Sequence, residues 1–154
     1  MKFPFLVFVF CCAESLGRPA KCQVFIDPTG TYRLKGKVQG GVLTGHSGEI
    51  RAKLLNPTRV AISFFIDQGY PQYGTGSFVD TLTYHDNQAE YRPPSDKDCT
   101  IIIFFRMKEA EVCLSLLNPR SGCGFAGGVM TSGTFRKSSG DPPLIQDMSA
   151  GGIR

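Results

Sequence analysis

Gly30-Thr31-Tyr32-Arg33 and Gly133-Thr134-Phe135-Arg136 are near-copies of one tetrapeptide, placed close to opposite ends of a 154-residue chain. A second pair, Leu54-Leu-Asn-Pro-Thr58 and Leu116-Leu-Asn-Pro-Arg120, lies between them. GTYR precedes LLNPT, but GTFR follows LLNPR, and a tandem duplication does not leave that reversed order. A shared local task explains the echo better. Gly relieves crowding where a strand bends, Thr and an aromatic suit a pleated surface, and Arg points outward. If the first and last strands pair, Tyr32 and Phe135 face inward on neighbouring strands and both free sheet edges vanish. The echo therefore predicts a closed barrel.

The rest of the chain supplies the strands between. "TYRLKGKV" and "GEIRAKLL" alternate, the first with Tyr32 and Leu34 on one face, the second with Ile50, Ala52 and Leu54. "RVAISFFI", "SFVDTLTY", "QAEYR", "CTIIIFF", "EVCLSLL" and "VMTSGTFRK" complete a set of eight, separated by turn signals such as "NPT", "HDN", "PPSDKD" and "MKEA". Connections this short suit antiparallel neighbours. No amphipathic helix of useful length is legible. The chain has no Trp, 18 Gly, 10 Pro and only 19% charged residues, a composition suited to strands and turns. The expectation is an all-β fold, a small eight-stranded antiparallel up-and-down barrel over residues 30–137.

Flanking segments read differently. "MKFPFLVFVFCCAESLG" has one early cation, an apolar run from Phe3 to Ala13 and small residues at Ser15 and Gly17, the pattern of a signal peptide over residues 1–17. The run falls short of the roughly 20 apolar residues that span a bilayer, so no transmembrane span is expected in the mature chain. The predicted location is secreted or periplasmic. Residues 18–29 form an N-terminal segment, and residues 138–154, with Pro-Pro and Gly-Gly, read as a disordered tail. Removal of residues 1–17 takes away Lys2 and Glu14 and leaves the net charge of +4 unchanged. Cys22, Cys99, Cys113 and Cys123 then remain, an even number in an oxidising compartment, with three possible pairings. Two disulfides, or one disulfide and a buried thiol, are expected. A metal site is not: no CxxC occurs and both His are far from the Cys in sequence.

The C-terminal half resembles a small exported β-barrel domain found in uncharacterised bacterial proteins. The matching residues are Ala89 and Tyr91, the run Cys99 to Phe105, and Cys123-Gly124-Phe125 with Val129, Gly133, Thr134, Phe135 and Arg136. Phe135 stands where that domain usually has Tyr, and Ala126 where it has Gly. The resemblance covers roughly residues 30–137 and implies an exported barrel with a Cys99–Cys123 bridge. A hairpin turned at "MKEA" puts Cys99 opposite about Asn118, close enough for Cys123 to swing back. Cys22 and Cys113 are then left as a second pair. Periplasmic lysozyme inhibitors are similar in a general way, as small exported disulfide-bearing barrels that plug a hydrolase cleft with a loop, although their loop signatures are not matched here.

Chemistry-bearing residues are sparse. His46, near Ser47 and Glu49, and His85, beside Asp86, sit in turn-rich sequence, where solvated His is the ordinary case. No phosphate loop, metalloprotease motif or nucleophile elbow appears, so neither catalysis nor a cofactor is expected. The cations are better ordered. Arg33, Lys35, Arg51, Lys53 and Arg136 fall on the outward sets of the first, second and last strands, which closure makes contiguous. That basic stripe suits an acidic protein or an anionic envelope component. Nucleic acid is not expected, because the aromatics read as core. Tyr70 and Tyr73 flank Pro71 in the loop "DQGYPQYGTGS", a composition typical of recognition loops. The sequence thus points to a monomeric, non-catalytic binding module. A carrier using the barrel interior, or an envelope-associated protein, is the alternative.

Overall fold

A computed structural model describes residues 24–125, 129 and 132–146. The segment read as a signal peptide, and Cys22, lie outside the described residues. The strands are β1 (Gly30–Leu34), β2 (Lys37–Gln39), β3 (Val42–Thr44), β4 (His46–Asn56), β5 (Arg59–Gln68), β6 (Gly74–His85), β7 (Gln88–Tyr91), β8 (Cys99–Phe105), β9 (Glu109–Leu116) and β10 (Gly133–Ser139). Eight of them close an antiparallel barrel in the order β1-β10-β9-β8-β7-β6-β5-β4, and β2 pairs only with β3. Neighbours in sequence are thus neighbours in space, and β10 closes on β1.

The echoed tetrapeptides meet at that closure. Arg33 pairs with Arg136 and Tyr32 with Lys137, and a bulge follows before Thr31 pairs with Ser139. Tyr32 and Phe135 are both fully buried. Period-two alternation carries the same inward set around the barrel: Ile50 and Ala52, then Val60, Ile62, Phe64 and Ile66, then Ile101, Ile103 and Phe105. Aromatic rings fill the interior. Phe64 stacks on Phe78 at 5.1 Å and packs against Phe135 at 6.0 Å, while Tyr32 and Tyr84 meet Phe105 edge-on. Burial holds the Tyr32 and Tyr84 hydroxyls well above the ordinary phenol range, with a smaller contribution from the charge of Asp27. Between β6 and β7 only two residue pairs form. There Tyr91 lies flat on Phe78, 3.8 Å between ring centres, and seals the seam.

Several boundaries differ from the sequence reading: β4 begins at His46, and β5 and β6 extend into the predicted loop, to Gln68 and from Gly74. The first predicted strand breaks after Leu34, because Gly40-Gly41, both at positive φ, turn the following residues into a separate hairpin. The β8–β9 turn occupies Arg106–Lys108, one step earlier than "MKEA", so Cys99 lies opposite Leu116 instead of Asn118. The last strand runs on through Ser138 and Ser139, residues assigned to the tail. Beyond it Gln146 accepts a hydrogen bond through its carbonyl from the hydroxyl of Ser63, an outward residue of β5 that is fully buried. Ser139, Thr31, Arg51 and Ser63 form one row across β10, β1, β4 and β5. Residues 140–146 therefore carry the chain along that row, over the outside of the barrel. Residues 147–154 lie outside the described residues.

The Cys99–Cys123 disulfide is present, with Cα atoms 5.2 Å apart. It ties the start of β8 to the long β9–β10 connection. Asp96 holds the same connection by accepting a 2.6 Å hydrogen bond from Ser121, and that bond draws its carboxyl below the usual range. Cys113 faces outward opposite Ile102 and has no disulfide partner among the described residues.

Candidate interaction surface

The two ends of the barrel are built differently. At one end the turns are short: Pro57-Thr58, Asp86-Asn87 and Arg106–Lys108. Asp86 and Asn87 both take positive φ, the conformation that a two-residue hairpin turn requires. That end is closed by the N-terminal segment. The Asn87 amide accepts from Ile26 N and donates to Val24 O, both at 2.8 Å, and the Tyr84 hydroxyl donates to Ile26 O at 2.7 Å. The opposite end carries the longer connections, including the β2–β3 hairpin, the 69–73 loop and the disulfide-tied loop. Connections of this kind on a rigid scaffold are where binding residues concentrate.

There the hairpin and the Tyr loop form one unit. Gly69 N donates to Gly45 O at 2.8 Å and Tyr70 N donates to Leu43 O at 2.9 Å. Gly69 is required at this joint, because a Cβ there would sit 2.3 Å from the Leu43 carbonyl oxygen. Thr44 and Tyr70 make a parallel bridge. Tyr70 and Tyr73 meet edge-on, ring centres 6.1 Å apart. The exposed apolar groups of the unit are Val38 at 67%, Val42 at 43%, Tyr70 at 57% and Tyr73 at 65%. From Gly36 to Gly45 and from Gly69 to Tyr73 the only charged residue is Lys37. A projecting surface of aromatic and β-branched side chains, depleted of charge at its centre, matches the anatomy of protein-binding cores.

Four of the five cations of the predicted stripe lie on β4, β1 and β10, which are contiguous in that order, and Lys35 directly follows β1, but they do not act as one. Glu49 stands among them on the outward face of β4. It accepts from Arg33 Nε at 2.8 Å and from Arg51 Nε at 2.7 Å. Arg51 is largely covered, on the row the C-terminal segment follows. Lys53 lies toward the plugged end, opposite Ala61. Arg33, Lys35 and Arg136 gather instead along a groove between β1 and β10, joined by Lys137 and Thr134. Glu49 was within reach of sequence reasoning, since in "GEIRAKLL" it shares the parity of Arg51 and Lys53. The hairpin was signalled by Gly40-Gly41. Lys137 shares the parity of Phe135 and pairs with the buried Tyr32, so alternation kept it off the outward stripe.

The two histidines do not converge. His46 opens β4 at the hairpin end, opposite Gln68, and His85 closes β6 at the plugged end, 3.0 Å from Asp86. No protein-family model matches the chain, and no curated protein or solved structure shows significant similarity to it.

Proposed function

We propose that the chain is an exported, non-catalytic binding module that engages a protein partner through the barrel end bearing Tyr70 and Tyr73. The observation that carries this reading is the union of the Tyr loop with the β2–β3 hairpin. Backbone hydrogen bonds to Gly45 and Leu43 hold the aromatics in place before any partner arrives, so little ordering entropy is lost on binding. The unit projects, so it fits a concave partner. Lys35 and Lys37 at its base suit a cleft carrying carboxylates, and the cleft of a hydrolase is such a surface. The Cys99–Cys123 bridge accords with an oxidising compartment. The carrier reading is less well supported, because Tyr32, Phe64, Phe105 and Phe135 occupy the barrel interior.

The test is capture from exported and envelope protein fractions by the chain and by a variant with Tyr70→Ser and Tyr73→Ser. Aromatic anchors of this kind contribute about 2 kcal/mol or more each, so loss of one costs at least ~30-fold in affinity for a true partner and loss of both on the order of 1,000-fold. A protein held equally by both forms, or no protein held by either, counts against the proposal.

A further inference from the structure

We infer that the groove between β1 and β10 is an anion site built for a phosphate group, separate from the Tyr surface. Arg33 and Arg136 are direct cross-strand partners with both side chains outward. Like charges placed opposite one another destabilise a sheet unless something neutralises them. Glu49 relieves part of this by accepting from Arg33 Nε, which leaves the terminal nitrogens of Arg33 without an acceptor among the described residues. Arg136 has no carboxylate within 4.0 Å among the described residues. Its other neighbour, Glu109, leans toward Arg106 at 4.0 Å, and Glu111 pairs with Arg106 at 3.0 Å. Lys35 and the Thr134 hydroxyl lie on the same groove. Lys137, the cross-strand partner of the inward Tyr32, holds its ammonium over that ring, 5.4 Å from the centroid, on the other face of the sheet, and is not counted among the groove's donors. No acidic residue lines the groove.

The donor set selects the ligand. One guanidinium fork satisfies a carboxylate. Two guanidinium groups, a lysine and a hydroxyl converging from adjacent strands exceed that and match a phosphate monoester, which offers three acceptor oxygens and close to two negative charges. A soluble phosphoester and a phosphorylated lipid headgroup share this chemistry.

The experiment follows the Arg side-chain Nε–H signals by NMR while inorganic phosphate is added, against sodium chloride at equal ionic strength. Co-sedimentation with phosphatidylcholine vesicles, with and without phosphatidic acid, forms the second arm. Phosphate is expected to shift Arg33 and Arg136 selectively. Arg136→Gln, checked for folding by its amide spectrum, should weaken binding at least tenfold, Lys35→Gln should weaken it by less, and Lys53→Gln should leave it unchanged. Retention on phosphatidic acid vesicles without a response to free phosphate assigns the site to a headgroup, and a response to both assigns it to the phosphate itself. Equal shifts in chloride, no response in either arm, or a Lys53→Gln loss as large as that of Arg136→Gln would overturn the inference. Partner capture by Arg136→Gln is expected to persist, so failure here and failure of the Tyr surface are told apart.

Discussion

Gly69→Ala tests whether the Tyr loop and the hairpin are one body. The added methyl would lie 2.3 Å from the Leu43 carbonyl oxygen and 2.8 Å from its carbon, inside any tolerable contact. Nothing in the backbone of Gly69 itself forbids Ala, since its φ lies outside the left-handed region. The cost therefore falls on the joint. Separation breaks the bonds from Gly69 N to Gly45 O and from Tyr70 N to Leu43 O, at 2.8 and 2.9 Å. At about 1 kcal/mol each, the loss is about 2 kcal/mol, or ~30-fold in the closed population. Amide hydrogen exchange reads this directly. The Tyr70 amide should exchange ~30-fold faster in the variant, while amides of Ile62 and Phe64 in β5 keep their protection. Gly140→Ala, where a Cβ meets nothing within 4 Å, is the control. Unchanged protection at Tyr70 would refute the docking argument. Loss of protection through β5 would show that the joint belongs to the barrel's own cooperative unit.

Further expectations concern the scaffold. Replacing Cys99 and Cys123 together by Ala opens a crosslink of sequence separation 24. Loop-closure entropy puts the loss at about 3.5 kcal/mol, measurable as a lower urea midpoint; an unchanged midpoint would contradict it. Phe64→Ala removes a fully buried ring that contacts Phe78, Phe125 and Phe135. It should cost about 3–5 kcal/mol in equilibrium unfolding, and a loss below 1 kcal/mol would mean the interior is not packed as described. Alkali should unfold the barrel. Burial raises the folded-state pKa of Tyr32 and Tyr84 above the ordinary 10.0, so the unfolded state releases those protons first. Their contribution is complete below that value and is lost as pH rises above it. The phenolate absorbance of both residues should appear together with loss of the barrel's circular dichroism, and phenolate formation in an intact barrel would contradict this.

Much of the barrel was legible because period-two alternation is a local signal with a single structural answer. Tyr32, Ile50, Ala52 and Phe135 are inward as their strands predict, and the echoed tetrapeptides do close the sheet. The β2–β3 hairpin was merged into the first strand, because Val38 continues an alternation that only the Gly40-Gly41 turn interrupts. The binding face was harder to read. Cross-strand position, which decides that Glu49 sits between Arg33 and Arg51 and that Arg136 faces Arg33, depends on register, and register is fixed by partners distant in sequence. The docking of Tyr70 onto Leu43 is likewise a contact between two loops, with no period to announce it. Residues 140–146 carry the turn-rich composition of a free tail, yet one backbone carbonyl, that of Gln146, meets a buried hydroxyl on β5.

The central claim is that the hairpin end of the barrel meets a protein. A photoreactive phenylalanine analogue placed at Tyr73, and in a second protein at Met107 on the plugged end, tests it most directly. Both positions are well exposed, at 65% and 79%. Irradiation in the presence of exported and envelope proteins should give a discrete covalent adduct from position 73, suppressed by Gly69→Ala, and none from position 107. An adduct from position 107 alone, or equal labelling from both ends, would contradict the account.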